Sequence, residues 1–156
     1  MMYYSFIMLK PDALERNLTQ QIVGYLKDGG IEMEWINTVK ATRERIFEHY
    51  AEVIEKVGES FKEKAARYFE GKYVVPIIVK SEDENVISKV RKIIGATDPA
   101  KAEPGTIRGD LGTDSLQRSL DENRCCENLI HASDSPEAFR SEIQIWFDPG
   151  VTSRYL

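Results

Sequence analysis

Hydrophobic and polar positions along this chain change period several times, and each change marks an element. Tyr3 to Leu9 is aromatic and aliphatic throughout, which predicts a strand whose end presents Lys10 before Pro11 stops it. Asn17-Leu18-Thr19-Gln20 offers cap residues ahead of Ile22, Val23, Tyr25 and Leu26, and Gly29-Gly30 closes that helix. Ile31, Met33 and Trp35 alternate with Glu32 and Glu34, the period of an edge strand with one face on the core and one in water.

From Thr42 the spacing is helical. Ile46, Phe47, Tyr50, Val53, Ile54 and Val57 predict one helix ended by Gly58. Phe61, Ala65, Tyr68 and Phe69 share a face of a second, so the two form a hairpin inserted between strands. Tyr73 to Val79 is almost continuously apolar, as in a strand buried on both faces. Pro76 cannot donate to a ladder there, which predicts a bulge or a nitrogen turned away from the neighbouring strand.

Ser81-Glu82-Asp83-Glu84 has capping-box spacing before a helix with Val86, Ile87, Val90, Ile93 and Ile94 on its buried face and Arg91 near its end. Ala96 to Leu111 carries too much proline and glycine for a regular element and reads as a long functional loop. A polar stretch from Gly112 to Glu127 precedes a short strand at Leu129-Ile130-His131. Ser135-Pro136 then caps a helix with Phe139, Ile143 and Trp146 on one face. The order is that of an α/β, ferredoxin-like βαββαβ antiparallel sheet with an inserted helical hairpin and a C-terminal helix. No linker or repeat divides it, so residues 1–156 form one domain.

Composition narrows the function. The net charge of -5 argues against general nucleic-acid binding, and no RNA-type aromatic strand motif is present. Adjacent Cys125 and Cys126 suit neither a disulfide nor a zinc site and point to a reducing, cytoplasmic setting. No long apolar run or leader indicates a membrane.

His131 follows two apolar residues and precedes Ala132-Ser133-Asp134, a setting for a neutral but basic imidazole. Lys10, Arg91, Thr97 and Arg108 could gather cations and a hydroxyl around it, as a polyphosphate clamp would. Glu142, eleven positions after His131, could orient the ring. A histidine nucleophile would split phosphoryl transfer into two steps. Neither a P-loop nor a kinase glycine loop occurs. Ser133 as nucleophile with His131 as base is the weaker enzyme reading, because the two lie on one side of a strand without the separation of a relay. His49 pairs with nothing at a defined spacing and reads as a helix-surface or packed histidine.

Asn128-Leu129-Ile130-His131-Ala132-Ser133-Asp134 resembles the active-site signature of nucleoside diphosphate kinases. Leu9-Lys10-Pro11-Asp12, His49-Tyr50, Gly95-Ala96-Thr97-Asp98-Pro99-Ala100 and Pro104-Gly105-Thr106-Ile107-Arg108-Gly109-Asp110 resemble further segments of that family, in order. The resemblance implies His131 as the phosphorylated residue, Glu142 as its orienting partner and Ser133 in support. It implies Lys10 and Asn128 at the ribose hydroxyl and reacting phosphate, with Tyr50 beside them. Arg91, Thr97 and Arg108 would bind phosphates, and Phe61 would stack on the base with little base specificity.

It further implies Mg²⁺ bound mainly through the phosphates of nucleoside triphosphates and diphosphates, no metal site of the protein's own, and a homo-oligomer, tetramer or hexamer. A catalytically inactive member acting as a protein-interaction module is the alternative. The chain departs from the family's pattern at an insertion of about 111–127, at Glu127 where arginine is common, and at Ala132 in place of glycine. The insertion could touch the base, alter subunit contacts or be a solvated loop.

Overall fold

A computed structural model describes residues 1–156. The strands are β1 (Tyr3–Leu9), β2 (Glu32–Ile36), β3 (Val39–Lys40), β4 (Tyr73–Ser81) and β5 (Ile130–Ala132). They form one antiparallel sheet in the order β2-β4-β1-β5, with β3 also on β4. Helices α1 (Pro11–Glu15) and α2 (Thr19–Asp28) follow β1, and α3 (Arg43–His49), α4 (Ala51–Val57) and α5 (Glu59–Phe69) precede β4. After β4 come α6 (Val86–Ile94), α7 (Ile107–Leu111) and α8 (Leu116–Asp121); α9 (Pro136–Trp146) and α10 (Pro149–Thr152) follow β5. The ferredoxin-like arrangement expected from the element order is the one observed.

The sheet separates two cores because successive side chains of β1 and β4 point to opposite faces. Ile7, Leu9, Ile77 and Val79 pack with Ile22 and Leu26 of α2 and Val86, Val90 and Ile94 of α6. Phe6, Met8 and Ile78 pack on the other face with Ile46, Ala65, Phe69, Phe139, Ile143 and Trp146. The hairpin and the C-terminal helix therefore cover what the two ferredoxin helices leave open.

Several local expectations are corrected. Met33 and Trp35 do not share a face: the register shifts between them, so Met33 stands opposite Val79 and Trp35 opposite Ile78. A bulge of this kind re-aims every later side chain, and the two residues join different cores. The helix expected from Thr42 to Val57 breaks at Tyr50, whose backbone (φ -102°, ψ 19°) leaves helical geometry. The run Ser81 to Glu84 is no capping box. Ser81 Oγ accepts from Asp83 N and Asp83 Oδ1 from Asn85 N, so the segment turns before α6 begins.

Leu18, not a polar residue, stands at the N-cap of α2, without a side-chain bond. The long loop contains a 3-10 turn at Pro99–Lys101 as well as α7, each capped by a side chain, Asp98 and Thr106. Pro76 obeys the second of its two options. Its carbonyl accepts from Asn37 N, so its nitrogen faces that same side, where the chain between β2 and β3 leaves the ladder.

Replacing Ile78, fully buried in the second core, by alanine is expected to cost about 2–5 kcal/mol in urea unfolding. Val57→Ala, at a position 61% exposed, should stay within about 0.5 kcal/mol.

Candidate active site

β5 is only three residues long, and its entry is held in an unusual conformation. Leu129 has φ 74°, a left-handed geometry that costs a branched residue about 1–3 kcal/mol unless its surroundings impose it. They do: Asp12 Oδ2 accepts from Leu129 N at 3.1 Å, and Lys10 N donates to Leu129 O at 2.9 Å. Asp12 also accepts from the Tyr68 hydroxyl of α5. The proline turn after β1 thus sets the strand that carries His131.

Around that strand the predicted residues converge. Lys10 Nζ donates to Asn128 Oδ1 at 2.7 Å, and Asn128 Nδ2 to the Thr97 carbonyl at 3.0 Å. Arg108 donates to the carbonyls of Asn128, Gly95 and Ile130, and Arg91 to that of Ala132 at 3.1 Å. His131 Nε2 meets Glu142 Oε1 at 2.8 Å, and Ser133 Oγ donates to the same oxygen at 2.6 Å. Glu142 projects from α9, whose start is fixed by the Ser135 cap on Ala138 N. Lys10, Arg91, Arg108, Asn128, His131 and Glu142 line one cleft of about 520 Å³ with Tyr50, Asp134 and His49, while Ser133 is buried behind Glu142.

The electrostatics favour a neutral nucleophile. Burial and then the charges of Lys10, Arg108 and Arg91 bring His131 down to about 3, so the ring is uncharged at neutral pH. Burial, then Arg108, lowers Lys10 to about 8; burial, then Arg91, lowers Arg108 to about 10. Burial raises Glu142, opposed by His49 and the Ser133 hydrogen bond. Since Glu142 engages Nε2, the free lone pair of neutral His131 is on Nδ1. Such a site can receive a group with concentrated negative charge and take it onto nitrogen.

Phe61, like Ser133, stands outside the cleft. Its ring packs edge-on to Tyr50 at 5.6 Å and does not line the cleft. Three residues without a distinctive local pattern also belong here. His49, which reads as a packed or surface histidine, faces His131 with ring centroids 4.4 Å apart; Trp146 donates to it; Asp12 shapes the strand. Long-range pairing brings them together; in the sequence His49 and Asp12 fall inside family-like segments, and Trp146 shows only as an apolar position on its helix face.

A family model described as nucleoside diphosphate kinase matches residues 4–151. The chain is similar to the nucleoside diphosphate kinase of Methanothermobacter thermautotrophicus, 36% identical over 97% of this chain and 91% of that protein. It is similar as well to nucleoside diphosphate kinase 3 of Spinacia oleracea, at 38% identity over 97% of this chain and 89% of that one. Among solved structures, a transition-state mimic of nucleoside-diphosphate kinase from Borrelia burgdorferi with bound vanadate and ADP superposes with a TM-score of 0.88 at 27% identity, covering 96% of this chain and 89% of that one. An NDP kinase from Pyrobaculum aerophilum gives a TM-score of 0.83 at 29% identity, covering 96% and 98%.

Residues 111–127 lie beside this site and carry their own internal ties. Arg124 grips Asp114 with two nitrogens, at 2.6 and 2.9 Å, and Glu127 N donates to Asp114 Oδ2 at 2.8 Å. Asp98 Oδ1 accepts from Leu116 N, Ser115 caps α8 on Arg118 N, and Arg67 of α5 donates to the Asn123 carbonyl. The stretch therefore contains a short helix, α8, and is tied to Asp98 of the long loop and Arg67 of α5 rather than being a simple polar loop. The Arg124 hydrogen bonds hold the Asp114 carboxyl well below its usual range. A depressed folded-state value adds stability above the unfolded carboxylate range, about pH 4, and loses it as pH falls further. Asp114→Asn should cost about 1 kcal/mol at pH 7, discounted for partial exposure of Arg124. The gap from wild type in denaturant unfolding should narrow progressively below about pH 4.

Proposed function

This chain belongs to the nucleoside diphosphate kinase family, and from that premise we propose that His131 Nδ1 is the atom that accepts and returns the phosphoryl group. The enzyme moves the γ-phosphoryl group of a nucleoside triphosphate to a nucleoside diphosphate. The observation that carries the assignment is the contact of His131 Nε2 with Glu142, which leaves Nδ1 free in a cleft flanked by Lys10, Arg91 and Arg108.

In the first half-reaction the Nδ1 lone pair bonds to the γ-phosphorus as the bond to the bridging oxygen breaks, and the diphosphate leaves with that electron pair. The ring, with Nε2 protonated, gains positive charge, which the Glu142 carboxylate balances. The second half-reaction reverses these steps with another diphosphate. Lys10, Arg91 and Arg108 offset charge on the transferring oxygens, the main contribution a protein makes to this chemistry. Asn128 holds Lys10 in place, Ser133 holds Glu142, Thr97 borders the phosphates, and Tyr50 walls the cleft. Phe61 would reach the base only from the outer side of Tyr50.

Mg²⁺ enters as part of the substrate. Lys10, Arg91 and Arg108 line the cleft together with Glu48, Glu52, Asp134 and Glu142, and magnesium, which suits phosphate and water oxygens, would arrive bound to the nucleotide phosphates that the three cations draw in. The chain acts as one domain, residues 1–156, with an insertion at about 111–127, and assembles as a closed tetramer or hexamer. The free edge of β2, with Ile36 60% exposed, supports self-association. Two adjacent free thiols support a cytoplasmic setting, and no helix is long and apolar enough to cross a membrane.

Intact mass after brief incubation with Mg²⁺ and ATP should rise by one phosphoryl group, labile to acid and discharged by GDP with formation of GTP. His131→Ala should gain none and retain its fold by circular dichroism; turnover by that variant would refute the assignment. Chelating the magnesium should suppress the mass gain in the wild type.

A further inference from the structure

Beside the reacting pair lies a third titratable side chain with no role in the steps above. Trp146 Nε1 donates to His49 Nδ1 at 3.0 Å. An indole nitrogen only donates, so His49 Nδ1 must be unprotonated, and the neutral ring carries its hydrogen on Nε2. Burial, then His131, pushes His49 well below its usual value, in keeping with a neutral ring. That Nε2 is buried and has no hydrogen-bond partner. A ring nitrogen of each histidine and a Glu142 oxygen all lie within 4.8 Å of one another.

Two histidines and a carboxylate this close would ordinarily point to a divalent transition metal. The tautomer argues otherwise. A metal-bound imidazole donates its second N–H outward, whereas the outward nitrogen of His49 already accepts from a group that cannot reverse its role. Closing on a metal would require breaking the bond to Trp146.

We propose that His49, locked by Trp146 in the Nε2–H tautomer, is a positioning residue that donates a hydrogen bond from its buried Nε2–H to the Glu142 carboxylate as His131 becomes cationic, keeping its own proton. The inference rests on His131 as the phosphoryl acceptor. A buried carboxylate that must stay ionised is favoured by each donor it receives. Ser133 and His131 supply two, both on Oε1. His49 Nε2–H, unpartnered in the resting site, is the third donor available to it, and it cannot be withdrawn by a tautomer switch while Trp146 is in place.

The chain has two histidines, so ring ¹⁵N spectra contain two spin systems, separable with a His49 variant. In the wild type His49 should show Nε2 protonated and Nδ1 bare across neutral pH; the opposite tautomer, or titration there, overturns the proposal. His49→Ala should slow His131 phosphorylation at saturating Mg²⁺-ATP roughly tenfold, about 1.4 kcal/mol, with KM within about twofold. Glutamine places an amide nitrogen near the lost Nε2 and should restore most of the rate. Asparagine mimics only Nδ1 and should not.

Rescue by asparagine but not glutamine would reduce His49 to a partner for Trp146. Full speed in His49→Ala would remove its role altogether. Zinc alone, titrated into the wild type, should leave both ring spectra unchanged, and coordinated His49 signals would overturn the tautomer lock. Absence of phosphorylation in the wild type would instead defeat the acceptor assignment, and the ring spectra are read independently of it.

Discussion

A buried guanidinium holds this site in shape. Arg108 is nine-tenths buried, a costly place for a charge that is not satisfied. Its donors go to the carbonyls of Gly95, Asn128 and Ile130, on the loop after α6 and on both sides of Leu129. β5 pairs with β1 over only Ile7, Met8 and Leu9, too short a ladder to define a strand by itself. Side-chain clamps from Arg108, Lys10 and Asp12 replace the missing length, and they make the left-handed geometry of Leu129 tolerable. A guanidinium has about five N–H donors, so this clamp leaves some free for an anion. One side chain can thus be both a structural staple and a phosphate ligand.

The same cations tune the chemistry. The chain is acidic overall, at -5, yet its cleft gathers Lys10, Arg91 and Arg108 around one imidazole. Burial first, and then their field, suppresses protonation of His131 and so preserves the lone pair that must attack. It also compensates the charge of an incoming polyphosphate, which would otherwise raise the basicity of the ring. The cations thus reinforce the neutrality that burial imposes on His131 while attracting substrate, and their effect is strong because the groups are withdrawn from water.

Local pattern made some elements legible and hid others for identifiable reasons. The β1 run, the Ser135-Pro136 helix start and the short His131 strand each carry a strong local signal, and the structure has all three. Tyr50 gave no warning of a helix break, since its own residue type and the apolar spacing through Val57 both suit a continuous helix. The bulge in β2 was invisible because alternation is preserved in the sequence while the register slips against β4. Ser115 at the start of α8 is an adequate cap signal, but its surroundings are polar and the helix is short, so composition masked it. Residue type alone lets Lys10, Arg91, Arg108 and Glu142 be grouped around His131 as a possible clamp, while the place of Asn128 and the specific role of each come only from the resemblance. The contacts that unite them span from 20 to 118 positions along the chain, beyond the reach of any local pattern, except for His131 with Glu142.

His49 illustrates the remaining gap between a residue list and a mechanism. Nothing about a histidine in a helix end states which nitrogen bears its proton; that is decided by Trp146, almost a hundred positions away. The decision has chemical weight because the two possible tautomers have opposite consequences. With the proton on Nε2 the ring is a donor and stabilises an adjacent carboxylate; with the proton on Nδ1 it is an acceptor and completes a metal-binding triad with His131 and Glu142. An indole, which only donates, selects the first. A phosphoryl-accepting histidine placed beside a second histidine and a glutamate is exposed to capture by a divalent transition metal, and a fixed donor behind the second ring is a direct way to prevent it. The buried tryptophan of α9 thus contributes to the second core through its area and to the site through a single N–H.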